Sequence, residues 1–326
     1  MLDVLSYLMD RPGSWVSGEE MASSLGISRA AVWKQIQILR SRGYSILSST
    51  RKGYLLAQVP DILDRRSITR ALETGYLGRE LHYQSETSST NDLARSVVGS
   101  ARNGAVVLSE IQTSGRGRLG REWLSPRGGV WMSLILKPNL PPALAPRINM
   151  AVGVALARTL SELYGLQVGI KWPNDLLVGE KKVCGILTEI SAEMDRLNYV
   201  VVGVGINANL DGGAFPGLWN ATSLQQELGR RVSREELIVR FLKEAERSLE
   251  DMTSDLEKVR QEWCLRSSTL NRLVRIELAG EELVGTARSI DQEGALLIET
   301  EEGTMRRVLA GDCIHLRPVK RDDQGR

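Results

Sequence analysis

Three glycines and three arginines are concentrated in one short stretch, "TSGRGRLGREW", at residues 113–123. The glycines form the pattern G-x-G-x-x-G, with which a Rossmann fold binds a dinucleotide at the start of a helix. The residues after Gly120, "REWLSPRGGVW", contain a proline and two adjacent glycines and have no helical period. Because the dinucleotide fingerprint must open a helix, this interpretation fails.

An arginine-rich nucleic-acid tail would be long and of low complexity, whereas this stretch is short and lies between two apolar, strand-like segments. The remaining functional interpretation is a mobile loop whose glycines let the backbone wrap a ligand. Arg116, Arg118 and Arg121 would surround an anionic group with planar donors. The structural alternative is a surface loop with solvated arginines.

Three further stretches place polar groups beside predicted helix or strand ends. "TSSTND" (87–92) offers hydroxyls and an amide at a helix start. "KWPNDLLVGEKKVCGI" (171–186) brings the carboxylate of Asp175 and the amine of Lys182 onto successive strands, where they can converge. "VGVGINAN" (202–209) ends a strand with small residues that permit a ligand to approach the backbone. Taken singly, each stretch also has a structural explanation as a cap or a strand end.

The elements around these stretches alternate between strand and helix patterns from about residue 60 to residue 268, which predicts one α/β domain around a sheet. One long amphipathic helix is predicted to end at Gly165, and a second begins at Ser233 with Glu236 in capping-box register. From about residue 271 to 317, short alternating strands separated by turn residues predict a small β-barrel.

The N-terminal segment carries an uneven charge, because residues 28–52 contain six basic residues and no acidic one. Ser17 and Glu20 predict a capped helix, Gly26 a turn and Ser28 the cap of a second helix, which is a helix-turn-helix pattern. An alternating segment with a basic tip then predicts a hairpin wing. The residues expected to face DNA are Ser28, Arg29, Trp33, Lys34, Gln37, Arg51 and Lys52. A small helical domain with a solvated basic face is the alternative.

Composition limits the class of protein. The chain has 326 residues, 42% of them hydrophobic and 25% charged, and a net charge of +2, as is ordinary for a globular protein of more than one domain. Three widely spaced cysteines match no metal spacing and fit a reducing cytoplasm. The apolar runs are far shorter than the roughly 20 residues of a spanning helix, so we expect neither export nor membrane insertion.

The polar stretches together resemble a known family. "SSTN", "GRGRLGREW", "KWPNDLLV", "KKVCGI" and "GVGIN" occur in the order and approximate spacing of biotin–protein ligases, and the helix-turn-helix resembles that of the members that also repress the biotin operon. In one position the pattern departs, since the best-known member has a fourth arginine where this chain has Leu119.

The resemblance implies a multidomain α+β fold. Its central α/β ligase domain would be class II synthetase-like and built around a mixed sheet, between a winged helix-turn-helix and a small SH3-like β-barrel. The expected boundaries are 1–59 for the DNA-binding domain, 60–268 for the ligase domain, 269–318 for the C-terminal domain and 319–326 for a disordered tail.

The resemblance also implies the activity and the partners. The enzyme would use ATP and Mg²⁺ to convert biotin to biotinyl-5'-AMP and then biotinylate a lysine of the biotin carboxyl carrier protein of acetyl-CoA carboxylase. The adenylate would act as co-repressor for a homodimer on biotin operator DNA. A lipoate-type protein ligase and a biotin-sensing repressor without catalysis are the rival hypotheses.

The resemblance assigns roles to individual residues. Lys182, Arg118 and Asp175 would be catalytic, and Asp175 would either bind Mg²⁺ or orient the acceptor lysine. Biotin would be bound by Ser89, Thr90, Asn91, Gln112, Gly115, Arg116, Gly117, Arg118, Lys182, Gly185 and Gly203. ATP and the adenylate would be bound by Arg116, Arg118, Arg121, Trp123, Asn174, Lys182 and Asn207.

Overall fold

The computed structural model describes residues 3–41, 43–58, 61–215, 220–278 and 281–316. The predicted boundary at Pro60 and the predicted disordered tail at 319–326 lie outside these ranges. The described chain divides into two compact units, the first ending at Ile62 and the second beginning at Leu63. Within the described ranges, no helix has the length and hydropathy needed to cross a membrane.

The first unit consists of three helices followed by a two-stranded antiparallel hairpin. Its elements are α1 (Val4–Met9), α2 (Gly18–Leu25), α3 (Arg29–Ser41), β1 (Ser45–Ser49) and β2 (Gly53–Gln58). Ser17 caps α2 by accepting a hydrogen bond from the N–H of Glu20 at 3.0 Å, and Gly26 ends it with a φ of +65°. The predicted stripe of Val32, Ile36 and Leu39 is buried in this unit's own core. The predicted winged helix-turn-helix is therefore confirmed.

The second unit contains a seven-stranded sheet and its covering helices. In chain order the elements before the C-terminal sheet are α4 (Arg65–Ala71), β3 (Leu81–Gln84), α5 (Thr90–Val97), β4 (Ala105–Ser109), β5 (Val130–Leu136), α6 (Ala145–Tyr164), β6 (Val168–Lys171), β7 (Asp175–Val178), β8 (Lys181–Ala192), β9 (Leu197–Ile206), α7 (Leu224–Leu228), α8 (Arg234–Ser254) and α9 (Leu256–Leu265). The strand order is β3-β4-β5-β9-β8-β7-β6. Only β3 and β4 pair in parallel among these neighbours, so the sheet is mixed, as expected.

Both faces of this sheet are covered, which explains why β4 and β5 are buried at every position and are mainly apolar. Successive residues of β4 alternate between the faces: Val106 joins the core with α6 and α8, while Val107 packs with Ala94 of α5. The long helix α6 ends at Gly165, whose φ is +66°. The cap of α8 is Ser233, which accepts from the N–H of Glu236 at 3.2 Å. Both predicted helix boundaries are therefore confirmed.

The end of the second unit is a five-stranded antiparallel sheet with the order β13-β12-β11-β10-β14. Its strands are β10 (Leu273–Leu278), β11 (Glu281–Ile290), β12 (Leu296–Glu299), β13 (Met305–Val308) and β14 (Asp312–His315). Alternate residues such as Val274, Ile276 and Ile298 are buried in a core continuous with that of the larger sheet. The predicted small β-domain is present and is packed against the domain that contains the seven-stranded sheet.

Candidate active site

One cavity of about 1060 Å³ opens over β8 and β9, between the start of α5, the glycine-rich stretch and β14. Nearly all of the predicted ligase-site residues line it: Ser89, Thr90, Asn91, Gln112, Arg116, Gly117, Arg118, Arg121, Trp123, Asn174, Asp175, Lys182, Gly185, Gly203 and Asn207. Gly115 does not line this cavity. It is buried behind the wall, where an added Cβ would lie 2.4 Å from the carbonyl oxygen of Trp123.

Two glycines of the sheet make room for the indole of Trp123. A Cβ on Gly205 would lie 2.5 Å from Trp123 Nε1, and one on Gly185 would lie 2.9 Å from the ring. The indole also meets Trp131 edge to face, with ring centroids 6.5 Å apart. Its Nε1 is buried and has no hydrogen-bond partner in the described part of the chain. Trp123 therefore presents a flat apolar face and an unused donor inside the site.

The polar end of the cavity is a connected hydrogen-bond network at the start of α5. Gln112 Oε1 accepts from the backbone N–H of Thr90 at 2.8 Å and from its hydroxyl at 3.0 Å. The buried hydroxyl of Ser133 lies 2.6 Å from Asn91 Oδ1, and Asn91 Nδ2 donates to Glu189 at 2.8 Å. Asn91 fits because Gly203 has no Cβ, which would lie 2.4 Å from its Oδ1. Ser89 precedes α5, and its side chain makes no cap hydrogen bond.

Sequence reasoning missed two members of this network, Ser133 and Glu189. Ser133 is a fully buried hydroxyl within the otherwise apolar strand β5. A single polar residue in such a run was a signal in the sequence, because a buried hydroxyl needs a partner. Glu189 had no comparable signal, because its contact with Asn91 depends on the packing of α5 against the sheet.

The three arginines of the glycine-rich stretch have different surroundings. Arg116 donates to both carboxylate oxygens of Asp92, at 3.0 Å to Oδ2 and 2.5 Å to Oδ1. Arg121 donates to Asp312 of β14. Arg118 is partly buried, and burial lowers the pKa of its guanidinium, which nevertheless stays charged. No carboxylate of the described residues lies within ion-pair distance of Arg118. The positive charge of this arginine is therefore available to a ligand.

Lys182 and Asp175 converge across the hairpin of β7 and β8, as predicted. Lys182 Nζ lies 2.7 Å from Asp175 Oδ1, although the approach angle is poor for a hydrogen bond. The same ammonium lies 4.8 Å from the centroid of the Trp123 ring. Beside it, Cys184 is fully buried, and burial raises the pKa of its thiol, which makes it a packing residue rather than a nucleophile.

Asn174 and Asn207 stabilise the walls of the cavity through hydrogen bonds to the backbone. Asn174 Nδ2 donates to the carbonyl of Ile186 at 2.7 Å, and its Oδ1 accepts from Arg118 at 3.4 Å. Asn207 is buried and donates from Nδ2 to the carbonyl of Thr222 at 2.9 Å. Each side-chain amide thus donates a hydrogen bond to a backbone carbonyl while also lining the cavity.

In the first unit, the residues predicted to contact DNA lie on the face of α3 opposite its core and at the tip of the hairpin. All of them are exposed except Gln37, which is partly exposed: Ser28, Arg29, Trp33, Lys34, Gln37, Arg51 and Lys52. The large indole of Trp33 is 56% exposed. Ser28 also caps α3, accepting from the N–H of Ala31 at 3.2 Å. The surface is basic and accessible, as a major-groove reader requires.

Individual proteins match this chain over nearly all of its length, and family models match three parts of it. Residues 83–207 match the Biotin/lipoate A/B protein ligase family, residues 1–55 an HTH domain, and residues 269–316 the Biotin protein ligase C terminal domain. The bifunctional ligase/repressor BirA of Bacillus subtilis is 37% identical over 315 residues, covering 95% of this chain and 97% of that protein. The corresponding protein of Escherichia coli is 30% identical over 311 residues, covering 95% of each chain.

Solved structures agree on the ligase portion. The biotin protein ligase from Aquifex aeolicus in complex with biotin and ATP superposes with a TM-score of 0.63 at 27% identity, covering 73% of this chain and 99% of that one. Fold and site therefore define a protein ligase of the biotin and lipoate class. The chain belongs to the biotin protein ligase family, and its similarity to bifunctional ligase/repressors extends through the helix-turn-helix.

Proposed function

We propose that the protein joins biotin to ATP, giving biotinyl-5'-AMP and pyrophosphate, and then transfers the biotinyl group to one lysine of a biotin carboxyl carrier protein. The main support for the proposal is that one cavity contains both a partly buried arginine, Arg118, and a lysine, Lys182. The three cysteines of the chain are free thiols, which supports a reducing cytoplasmic setting.

The first step must bring two anions together, because the biotin carboxylate attacks the α-phosphate of ATP. Positioned cations reduce this repulsion and stabilise the charge that develops in the transition state. Lys182 would hold the reacting oxygens, since its ammonium already projects into the cavity beside Asp175. Arg118 would neutralise the acyl phosphate, while Arg116 and Arg121, which are paired with Asp92 and Asp312, would form the wall of the cavity beside it without contacting the ligand.

Biotin's ureido end requires both donors and acceptors in a fixed arrangement. The network of Thr90, Asn91 and Gln112, with Ser89 beside it, would provide them, and the hydrogen bonds within the network keep its side chains preorganised. Gly117 would allow the ligand to approach the backbone, while Gly185 and Gly203 would act indirectly, by making room for Trp123 and Asn91 beside it. Gly115 would contribute by shaping the loop from behind, since it does not line the cavity.

The nucleotide would occupy the other end. Trp123 would stack on adenine, and Asn174 and Asn207 would support the walls around it. Mg²⁺ favours one or two carboxylates together with substrate phosphates, and Asp175 fits this as a single ligand. The described residues contain no group of three or more His, Cys, Asp or Glu side chains suited to a metal. Mg²⁺ would therefore enter with the nucleotide and neutralise its phosphates.

The second function would be repression of the biotin operon by a homodimer carrying biotinyl-5'-AMP. The basic face of α3 and the hairpin tip would bind the operator. A single winged helix makes few contacts, so tight binding requires two copies on two half-sites. Unmodified carrier protein would compete with dimerisation and so relate repression to the demand for biotin.

Pyrophosphate release on mixing the protein with biotin and ATP tests the catalytic proposal directly. We expect release with biotin and none with lipoate under the same conditions. Release with lipoate alone would favour the lipoate-type ligase. Binding of biotin without pyrophosphate release would favour the sensor without catalysis. A titration of operator DNA with and without biotin plus ATP tests the co-repressor role, which is wrong if affinity and dimerisation do not change.

A further inference from the structure

The glycine-rich stretch, residues 115–123 and here called the arginine loop, is a small hairpin with ion pairs on both sides. Inside it, the N–H of Gly117 donates to the carbonyl of Arg121 at 2.7 Å, and the N–H of Trp123 donates to that of Gly115 at 2.9 Å. Leu119 and Gly120 turn the tip with φ values of +55° and +73°. The hairpin's own hydrogen bonds fix its shape but not its position over the cavity.

The first ion pair holds the base of the loop against α5. Arg116 makes a two-pronged contact with Asp92, and Asp92 is also bound by Arg95 from the same helix. Arg95 in turn donates to Glu189 at 3.2 Å, and Glu189 accepts from Asn91 in the polar network. The hydrogen bond from Arg116 holds the pKa of Asp92 below its ordinary value, so the carboxylate stays charged at neutral pH. The loop is thereby connected to the predicted biotin end.

The second ion pair holds the other side of the loop against the C-terminal sheet. Arg121 donates to Asp312, the first residue of β14. This hydrogen bond holds the pKa of Asp312 below its ordinary value. Asp312 is distant from the loop in sequence, and its contact is made possible by the packing of the C-terminal sheet on the ligase domain. The loop is therefore fixed from two walls of the cavity.

We propose that Asp92 and Asp312 are positioning residues that anchor the arginine loop through Arg116 and Arg121 and so present Arg118 to the anionic group in the cavity. Arg116 and Arg121 then hold the loop in position, and Arg118 contacts the ligand. This division follows from the contacts, because Arg118 lies between the two anchored residues and has no carboxylate of its own among the described residues. The identity of the ligand in this inference rests on the proposed function. The anchoring of the loop can be tested without it.

Limited trypsin digestion without ligand measures the anchoring itself, since the loop contains three cleavage sites of its own. In Asp92→Asn we expect cleavage after Arg116 to be about fivefold faster, and in Asp312→Asn cleavage after Arg121 to be about fivefold faster, the scale of losing one partly exposed ion pair. Cleavage after the exposed Arg196, between β8 and β9, is the internal reference. Asp251→Asn, which removes a pair with Lys258 on α8 and α9, is the matched control and leaves the loop unchanged. Equal acceleration at Arg196, or none in the loop, overturns the proposal.

The dissociation rate of biotinyl-5'-AMP measures the consequence for the ligand. We expect it to rise about fivefold in each variant, with a smaller change in the rate of adenylate formation under saturating substrates. Exchanging the charges, with Arg121→Asp and Asp312→Arg together, restores retention if the pair acts as an anchor. If the exchanged protein still releases the adenylate as fast as Asp312→Asn, Arg121 contacts the ligand itself and the proposal is wrong. If the unaltered protein makes no adenylate, the proposed function fails, and the digestion alone decides the anchoring.

Discussion

The two units place their functional residues in different ways. In the first unit, the predicted DNA contacts come from one helix and one hairpin within residues 28–52, and their exposure follows from the helical period of α3. In the second unit, the cavity draws residues from α5, from a loop, from several strands of the larger sheet and from the C-terminal sheet. A surface on one element can therefore be read from local pattern, whereas an enclosed site depends on how distant segments pack.

The largest expected effect tests whether the two units act separately. A chain beginning at Pro60 should lose specific operator binding by at least about 1000-fold, the difference between specific and non-specific association. Fluorescence anisotropy with an operator fragment measures this loss. Pyrophosphate release with biotin and ATP should continue, because the second unit has its own core. Loss of catalysis together with DNA binding would show that the first unit supports the cavity and would remove the contrast between the units.

Within the cavity, Lys182 should have the largest effect. Lys182→Ala should slow adenylation by about 100-fold or more, because one preorganised charge at the reacting oxygens is lost. Single-turnover pyrophosphate release measures this step. Lys181→Ala is the matched control, since Lys181 precedes it on β8 but is exposed and does not line the cavity. Unimpaired release from the Lys182 variant would remove this residue from the catalytic set.

Arg118 should act mainly after the adenylate has formed. Arg118→Gly should speed the dissociation of biotinyl-5'-AMP by about tenfold, the scale of a hydrogen bond to a charged group, and should biotinylate bystander lysines. The exposed Arg196 provides a comparison, because Arg196→Gly removes the same charge far from the loop. Retention of the adenylate by the Arg118 variant, at the rate of the unaltered protein, would contradict the assigned role.

The smallest expected effect is confined to the first unit. Ser17→Ala removes the hydroxyl that caps α2 and should lower the free energy of unfolding of this unit by about 1 kcal/mol. For a unit of this size, the melting temperature should fall by about 4–8 °C, as measured by circular dichroism. Ser14→Ala, at an exposed position before the helix, should have no such effect. A matching fall in ligase stability would mean that the two units unfold together.

The sequence by itself determined the elements whose signals are local. The caps at Ser17 and Ser233, the helix end at Gly165 and the alternation of the C-terminal strands were all predicted, because each depends on residues within a turn or two of one another. The elements α4, β3, α7 and α9 were missed. Few residues support their patterns, and packing against the sheet stabilises them instead.

Which charged groups form ion pairs depends on how distant segments of the chain pack together. The sequence indicated that Arg116, Arg118 and Arg121 share a loop, but it could not assign Asp92 and Asp312 as partners of two of them. It likewise gave no sign that Glu189 orients Asn91. Ion pairs and buried hydrogen bonds act over a few ångströms in space and leave no periodic pattern along the chain. Because α5 and β14 pack around one cavity, Arg116 and Arg121 are paired with carboxylates. Arg118 has no carboxylate partner among the described residues.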